Sequence, residues 1–138
     1  MTLLIITGCS NKEVLKHNYI YKGENEFWTA EYIVDGTGTF TKNNGKTEYE
    51  NHCDKIFTIT YKKDISKLAS VKHLEISYKS GVSGGNITED YTDGLKAEKT
   101  YNMKSSSSGG AIENKDDVIE VSINIDGDIQ TLELKSEK

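Results

Sequence analysis

The sequence has no proline and no arginine, and it has two cysteines and one tryptophan. All 17 basic residues are lysine, and 22 acidic residues bring the net charge to −5. Sites that bind DNA or RNA cluster positive charge, and arginine makes the commonest base-specific contacts. An acidic chain without arginine therefore argues against a nucleic-acid partner.

Long apolar runs are also missing beyond the N-terminus, whereas a membrane-spanning helix needs about 20 consecutive apolar residues. The 138 residues suit a single domain. A chain near this size buries roughly 68% of its extended surface, which is enough for a core without disulfides or metal. Because proline is absent, we expect lysine side chains to protect the edge strands.

A short apolar run ends at the first cysteine. Its last four residues, Ile6-Thr7-Gly8-Cys9, place a branched apolar residue, a β-branched residue and glycine before the thiol. This order resembles the lipobox of bacterial lipoproteins. The resemblance implies that residues 1–8 are the remnant of a signal peptide, that Cys9 carries lipid, and that residues 9–18 are a polar tether to one domain at residues 19–138.

Membrane attachment follows from this lipobox, because two acyl chains on Cys9 would hold the protein stably at the extracellular face of the cell membrane. Abundant lysine and asparagine without arginine are typical of an AT-rich genome, and with the lipobox they indicate a Gram-positive bacterium. No basic residue precedes the apolar run, so we interpret the true start of the signal peptide as lying upstream of Met1. The alternative is a short strand at residues 3–6 followed by an ordinary thiol.

The second cysteine, Cys53, has no disulfide partner if Cys9 is acylated; otherwise a Cys9–Cys53 bridge is the alternative. Cys53 follows His52 directly. On a strand, neighbouring side chains point to opposite faces, so the two residues should not meet as a nucleophile and its base. We therefore expect Cys53 to be a small buried side chain.

Alternation of apolar and polar residues predicts an all-β fold of about seven to nine antiparallel strands, which we expect to form an immunoglobulin-like β-sandwich. Asn44-Gly45 and Asp126-Gly127 predict tight hairpin turns. One helical turn is predicted after Asp64, which would cap it. Strands are predicted at 18–22, 27–34, 36–42, 46–50 (with a continuation to 53 left open), 55–62, 72–79, 95–103, 118–125 and 128–135, and loops at 81–94 and 105–110.

The segment from Tyr21 to Tyr32 has the pattern Tyr-x-Gly-Glu-x-x-x-Trp-x-x-x-Tyr. It resembles an uncharacterised domain of secreted proteins and lipoproteins of Bacillus and related Firmicutes, which has serine where this chain has Asn25. The resemblance implies an exported β-sandwich and brings no catalytic residue. Period-two spacing independently predicts a buried face formed by Trp28, Ala30, Tyr32 and Val34.

No catalytic or metal-binding motif emerges, so the sequence predicts no cofactor and no enzymatic activity. The acidic stretches 89–94 and 124–128 lack the spacing of a calcium loop. We expect a binding or accessory module whose partner is a membrane protein or the cell wall. One alternative is a carbohydrate- or cell-wall-binding module that uses Trp28 and the tyrosines. A second is a small surface enzyme that uses His52 and Cys53.

Overall fold

A computed structural model of the chain describes residues 11–92 and 96–136. Cys9, its lipobox and residues 3–6 lie outside the described residues. The described chain contains eight β-strands and one short 3-10 helix, Ile65–Leu68. Among the described residues, no helix combines the length and apolar character needed to cross a membrane. The strands are β1 (Asn11–Glu24), β2 (Trp28–Asn43), β3 (Lys46–Tyr61), β4 (His73–Lys79), β5 (Gly84–Asp90), β6 (Thr100–Ser108), β7 (Ile119–Ile125) and β8 (Asp128–Ser136).

The strands form one sheet in the order β5-β4-β7-β8-β1-β2-β3-β6, and every paired neighbour is antiparallel. The two outermost strands approach each other where Gly85 of β5 lies beside the Met103 sulfur of β6. The sheet is therefore a nearly closed, barrel-like structure. The all-β fold and the number of antiparallel strands are confirmed, whereas the immunoglobulin-like sandwich is not confirmed by this single sheet.

The core lies inside the curved sheet. Trp28, Ala30, Tyr32 and Val34 are all buried, as their spacing predicts. The next strand contributes Phe57, Ile59 and Tyr61, and β4 contributes Leu74, Ile76 and Tyr78. Burial of such large side chains stabilises the fold by about 1.5–3 kcal/mol each relative to exposure.

Local turn chemistry also follows the sequence. Asn44 and Gly45 have φ of 53° and 81°, and Asp126 and Gly127 have φ of 50° and 94°. Positive φ at both central residues is what a two-residue hairpin turn of this kind requires. Asp64 caps the 3-10 helix, because its carboxylate accepts a hydrogen bond from the Ser66 amide at 2.9 Å. Both predicted hairpins and the predicted helical turn are confirmed.

Three segments are strands although the sequence did not predict strands there. Residues 11–18 belong to β1 and pair with β2 from Asn11–Lys42 onward, so the described part of the predicted tether is not a free segment. Residues 84–90 form β5, and residues 105–108 continue β6 beside β3. Their sequences show no clear alternation of apolar and polar residues, and backbone hydrogen bonds to a neighbouring strand hold most of their positions.

The pairing of β8 with β1 is confined to Tyr21 and Lys22. The first three strands extend well beyond these two residues, toward the β2–β3 turn. We call this extension the arm; it consists of residues 11–17, 36–43 and 46–53. Its tip is the β2–β3 turn, and Asn11 pairs beside that turn. The arm thus carries the N-terminal end of the described chain.

Candidate functional site

A groove of about 560 Å³ lies at the base of the arm. Neighbouring strands bring its walls together, because Thr37 pairs with His52 and Thr39 pairs with Glu50. Ser108 of β6 pairs with His52 and adds a further hydroxyl, whereas the side chain of Tyr49, which pairs with Phe40, points to the opposite face of the sheet. The lining is therefore mostly polar, with one imidazole and one carboxylate, on strands that hold these groups in fixed positions.

His52 lies between a hydroxyl and a carboxylate. Its Nδ1 is 3.3 Å from Ser108 Oγ, and its Nε2 is 3.3 Å from Asp54 Oδ1. Strand register explains this, since His52 pairs with Ser108 and Asp54 pairs with Ser106. A hydrogen bond from Ser106, chiefly, lowers the pKa of the Asp54 carboxyl. The row offers hydrogen-bond donors and acceptors on the outer surface of the sheet.

This Ser–His–Asp row lacks the surroundings of a hydrolase site. More than half of the His52 and Asp54 side chains is exposed. The nearby Gly109 amide donates to both the carbonyl and the side-chain oxygen of Asn51, so it is not aimed at a developing oxyanion. The geometry suits contact with a ligand better than activation of a nucleophile.

Cys53 points to the opposite face from His52, as alternation predicts. Only 1% of Cys53 is exposed. Burial raises the pKa of its thiol, and the nearby Lys55 cation opposes this shift. A buried thiol with a raised pKa is unreactive. His52 and Cys53 therefore do not form the pair on which the surface-enzyme alternative depends.

Beneath the arm, a buried ion pair joins Lys55 of β3 to Glu113. The two charged groups are 2.8 Å apart, and their side chains are 6% and 0% exposed. Glu113 Oε2 accepts hydrogen bonds from the Tyr32, Ser80 and Ser83 hydroxyls at 2.6, 2.8 and 2.7 Å. Three hydroxyls and one cation thus replace the water that the carboxylate loses on burial.

The balance of these effects decides the charge of Glu113. Burial raises the pKa of its carboxyl, but the hydrogen bonds from Lys55, Tyr32, Ser83 and Ser80 outweigh burial and lower the pKa to about 2. Burial and the hydrogen bond to Glu113 raise the pKa of the Tyr32 hydroxyl. Glu113 is therefore ionised at neutral pH, and Tyr32 stays protonated as a donor.

Glu113 belongs to the β6–β7 connection, residues 109–118, which we call the covering loop. The Tyr21 hydroxyl donates to the Asn114 carbonyl at 2.6 Å, and Asn51 donates to the Gly110 carbonyl at 2.6 Å. Ile112 lies over Gly36, where a β-carbon would be 3.0 Å from its Cδ1 atom. The loop is thus held at Gly110, Ile112 and Asn114, and its first residue, Gly109, forms part of the groove wall.

The aromatic residues expected for sugar stacking are mostly inside the protein. Trp28 is 0% exposed, so it lies in the core as predicted and does not present its ring for the alternative role in sugar stacking. Tyr49 is the exception, with 47% exposed. Its ring packs on Phe40 with centroids 4.6 Å apart, and its hydroxyl lies over Gly38. Tyr49 is therefore a fixed, half-exposed aromatic surface on the face of the arm opposite the groove.

Neither acidic stretch forms a metal centre in the described residues, among which no cluster of three or more potential ligands is present. Asp126 accepts hydrogen bonds from the Lys72 and His73 amides instead. Asp90 contacts the His73 ring at 2.6 Å. Residues 93 and 94 of the other stretch lie outside the described residues. Backbone amides and an imidazole therefore account for the Asp126 and Asp90 carboxylates without a cation.

Sequence patterns did not reveal the Lys55–Glu113 network. Glu113 lies in an irregular segment whose composition resembles an exposed loop, and its partners are 30 or more residues away. The one available indication was Lys55 at a position where strand alternation predicts an inward side chain. A lysine on a buried face requires a partner, but the sequence does not say which.

The chain was compared with protein-family models, with curated proteins and with solved structures, and none of the three comparisons gave a match. Its function is therefore inferred from the residues and their arrangement.

Proposed function

We propose that this protein is a lipid-anchored binding or accessory module at the outer surface of a Gram-positive cell. The lipobox-like sequence that ends at Cys9 supports anchoring. The groove at the base of the arm supports binding. We also propose that the chain is similar to the secreted Bacillus-type domain. In this proposal, the two halves of the single sheet pack against each other as the two layers of an immunoglobulin-like sandwich.

The single observation that carries the binding function is Tyr49 on the arm. Its half-exposed aromatic ring is fixed by Phe40 and Gly38 on one face of the arm, and the hydroxyl-lined groove with His52 lies on the other face. Aromatic side chains on rigid elements dominate the energetics of many interfaces, and neighbouring polar groups orient the ligand. The one described thiol is buried, so it is not presented to a substrate.

The ligand class follows from these two surfaces. The arm offers a flat aromatic surface on one face and several hydroxyls on the other, without a cluster of charge, which suits a neutral, hydroxyl-rich or peptide-like group. A wall carbohydrate is the second candidate, and Tyr49 is the specific observation in its favour. A segment of a membrane protein is the first, because the anchor places such proteins within reach.

Replacing Tyr49 with alanine is expected to weaken ligand binding by at least tenfold, since a central interface aromatic typically contributes about 2 kcal/mol or more. Residues 10–138, tagged at the C-terminus, would be offered isolated cell wall and solubilised membrane proteins separately. Retained material would then be measured for the parent protein and for Tyr49→Ala.

Ile129→Ala is the matched control, because Ile129 is also an exposed apolar residue, 62% exposed, and lies outside the groove on β8. Retention that falls in Tyr49→Ala and persists in Ile129→Ala supports binding through the aromatic face of the arm. Equal retention by the two variants, or no retention by the parent protein, would overturn it. Wall polymer as the retained material would select the carbohydrate candidate.

A further inference from the structure

The arm places the membrane anchor next to the β2–β3 turn. Asn11 pairs with Lys42, two positions before that turn begins. Cys9 is two residues before Asn11, so the covalent chain limits their separation to about 7 Å. A lipid on Cys9 would therefore bring the membrane surface close to the tip of the arm, whatever path residues 9 and 10 follow.

The tip has a charge that suits an anionic surface. From Thr41 to Thr47 the hairpin carries Lys42 and Lys46 and no acidic residue. Both lysines are exposed. Bacterial headgroups with a phosphate and no compensating amine attract such lysines, each of which contributes about fivefold to membrane partitioning. The nearest acidic residues on these strands are Glu13, which pairs with Phe40, and Glu48, which pairs with Thr41, so both lie just outside the tip.

We propose that the hairpin tip, through Lys42 and Lys46, docks on the anionic lipid surface to which the chain is anchored. This inference rests on the proposed lipid anchor. The arm then stands on the membrane and the nearly closed sheet projects away from it. Strand β2 runs 16 residues from the tip to Trp28, which corresponds to about 50 Å along the strand.

Docking in this orientation has a consequence for the groove. Thr39 and Glu50 lie five residues from the turn residues Asn44 and Gly45, or about 17 Å along the strands, so the groove opens roughly 17–25 Å from the membrane surface. The opposite end, with the β7–β8 turn, faces away from it. A ligand of the groove would then be a group held near the bilayer, such as the outer segment of a membrane protein.

The test uses residues 10–138 with an N-terminal histidine tag, bound to vesicles that contain nickel-chelating lipid and phosphatidylglycerol. Single cysteines replace Lys46 or Asp128 in a Cys53→Ala background and carry a fluorophore, and a headgroup-linked quencher reports proximity. Because Lys46→Cys removes one of the two tip lysines, the quenching measured at position 46 is a lower limit for the docking of the parent protein. We expect roughly fivefold more quenching at position 46 than at position 128, because the two positions lie at opposite ends of strands about 50 Å long.

A 20-residue Gly-Ser linker between the tag and Ser10 separates docking from simple tethering, because its average span of about 25 Å lets the domain turn over. With this linker, quenching at position 46 should persist on phosphatidylglycerol vesicles. It should fall several-fold on zwitterionic vesicles or with Lys42→Glu, whereas Lys72→Glu, an exposed matched control, should leave it unchanged.

Equal quenching at the two positions, or quenching that ignores lipid charge and Lys42→Glu, would overturn the docking surface. A doubled molecular mass caused by tip-to-tip association would overturn it as well. Because the tag replaces the natural anchor, failure here is distinct from failure of the lipid anchor itself, which is tested on the full-length gene.

Discussion

Replacing Lys55 with methionine is expected to lower the free energy of unfolding by about 3–5 kcal/mol, the usual cost of removing one member of a buried ion pair. Because methionine fills most of the volume of the lysine side chain, the loss of stability reports the removal of the positive charge. Glu113, which is fully buried, would keep its three hydroxyl donors and lose the cation 2.8 Å away. Urea unfolding of the two proteins measures the difference.

Two comparisons show whether the effect belongs to the ion pair. The double variant Lys55→Met/Glu113→Gln removes both charges and should recover much of the loss, which a double-mutant cycle quantifies. Lys62→Met breaks the exposed contact with Glu24, at 2.9 Å, and should cost at most about 1 kcal/mol. A Lys55→Met effect as small as that of Lys62→Met would contradict the buried ion pair.

The same pair predicts a dependence on pH. Because the pKa of Glu113 is lowered from an ordinary 4.5 to about 2, its contribution to stability is complete above pH 4.5 and is lost as the pH falls toward 2. In that interval the parent protein should lose more stability than Glu113→Gln. Parallel curves for the two proteins would show that Glu113 has no lowered pKa.

Replacing Gly23 with alanine is expected to destabilise the protein by about 3 kcal/mol or more, at the upper end of overpacking effects. A β-carbon at Gly23 would lie 2.0 Å from the Glu133 carbonyl oxygen and 2.9 Å from a Leu134 methyl. The contact is with backbone, so the strands themselves must separate. The separation would occur beside the two residue pairs that join β1 to β8, at Tyr21 and Lys22.

Gly110→Ala is the matched control, since nothing lies within 4 Å of a β-carbon there and its φ is not in the left-handed region. Its effect should stay within about 0.5 kcal/mol, as for most surface substitutions. Midpoints of thermal and urea unfolding compare the two variants. Equal midpoints would mean that β1 and β8 are not in close contact at Gly23.

What the sequence predicts well depends on period-two patterns and turn residues. Trp28 and Tyr32 lie on the buried face because every second side chain of a strand points the same way. The two hairpins form where Asn44-Gly45 and Asp126-Gly127 accept positive φ. These features are encoded within a few neighbouring residues, so local reasoning suffices.

What the sequence did not predict depends on distant partners. Residues 105–108, four serines, form a strand because β3 offers backbone groups beside them. Residues 11–18 form part of β1 for the same reason, with β2 as the partner. The candidate site follows this rule: His52 meets Ser108 only through strand register. No short pattern specifies such pairings.

The anchor on Cys9 is the claim on which both location and orientation depend, and cell fractionation tests it most directly. Cells would express the full-length gene with either Cys9 or alanine at that position. We expect the parent protein in the membrane fraction, with the mass of a lipid-modified N-terminal peptide, and the Cys9→Ala protein in the medium. A Cys9→Ala protein that remains in the membrane fraction, or a parent protein without lipid, would contradict the anchor.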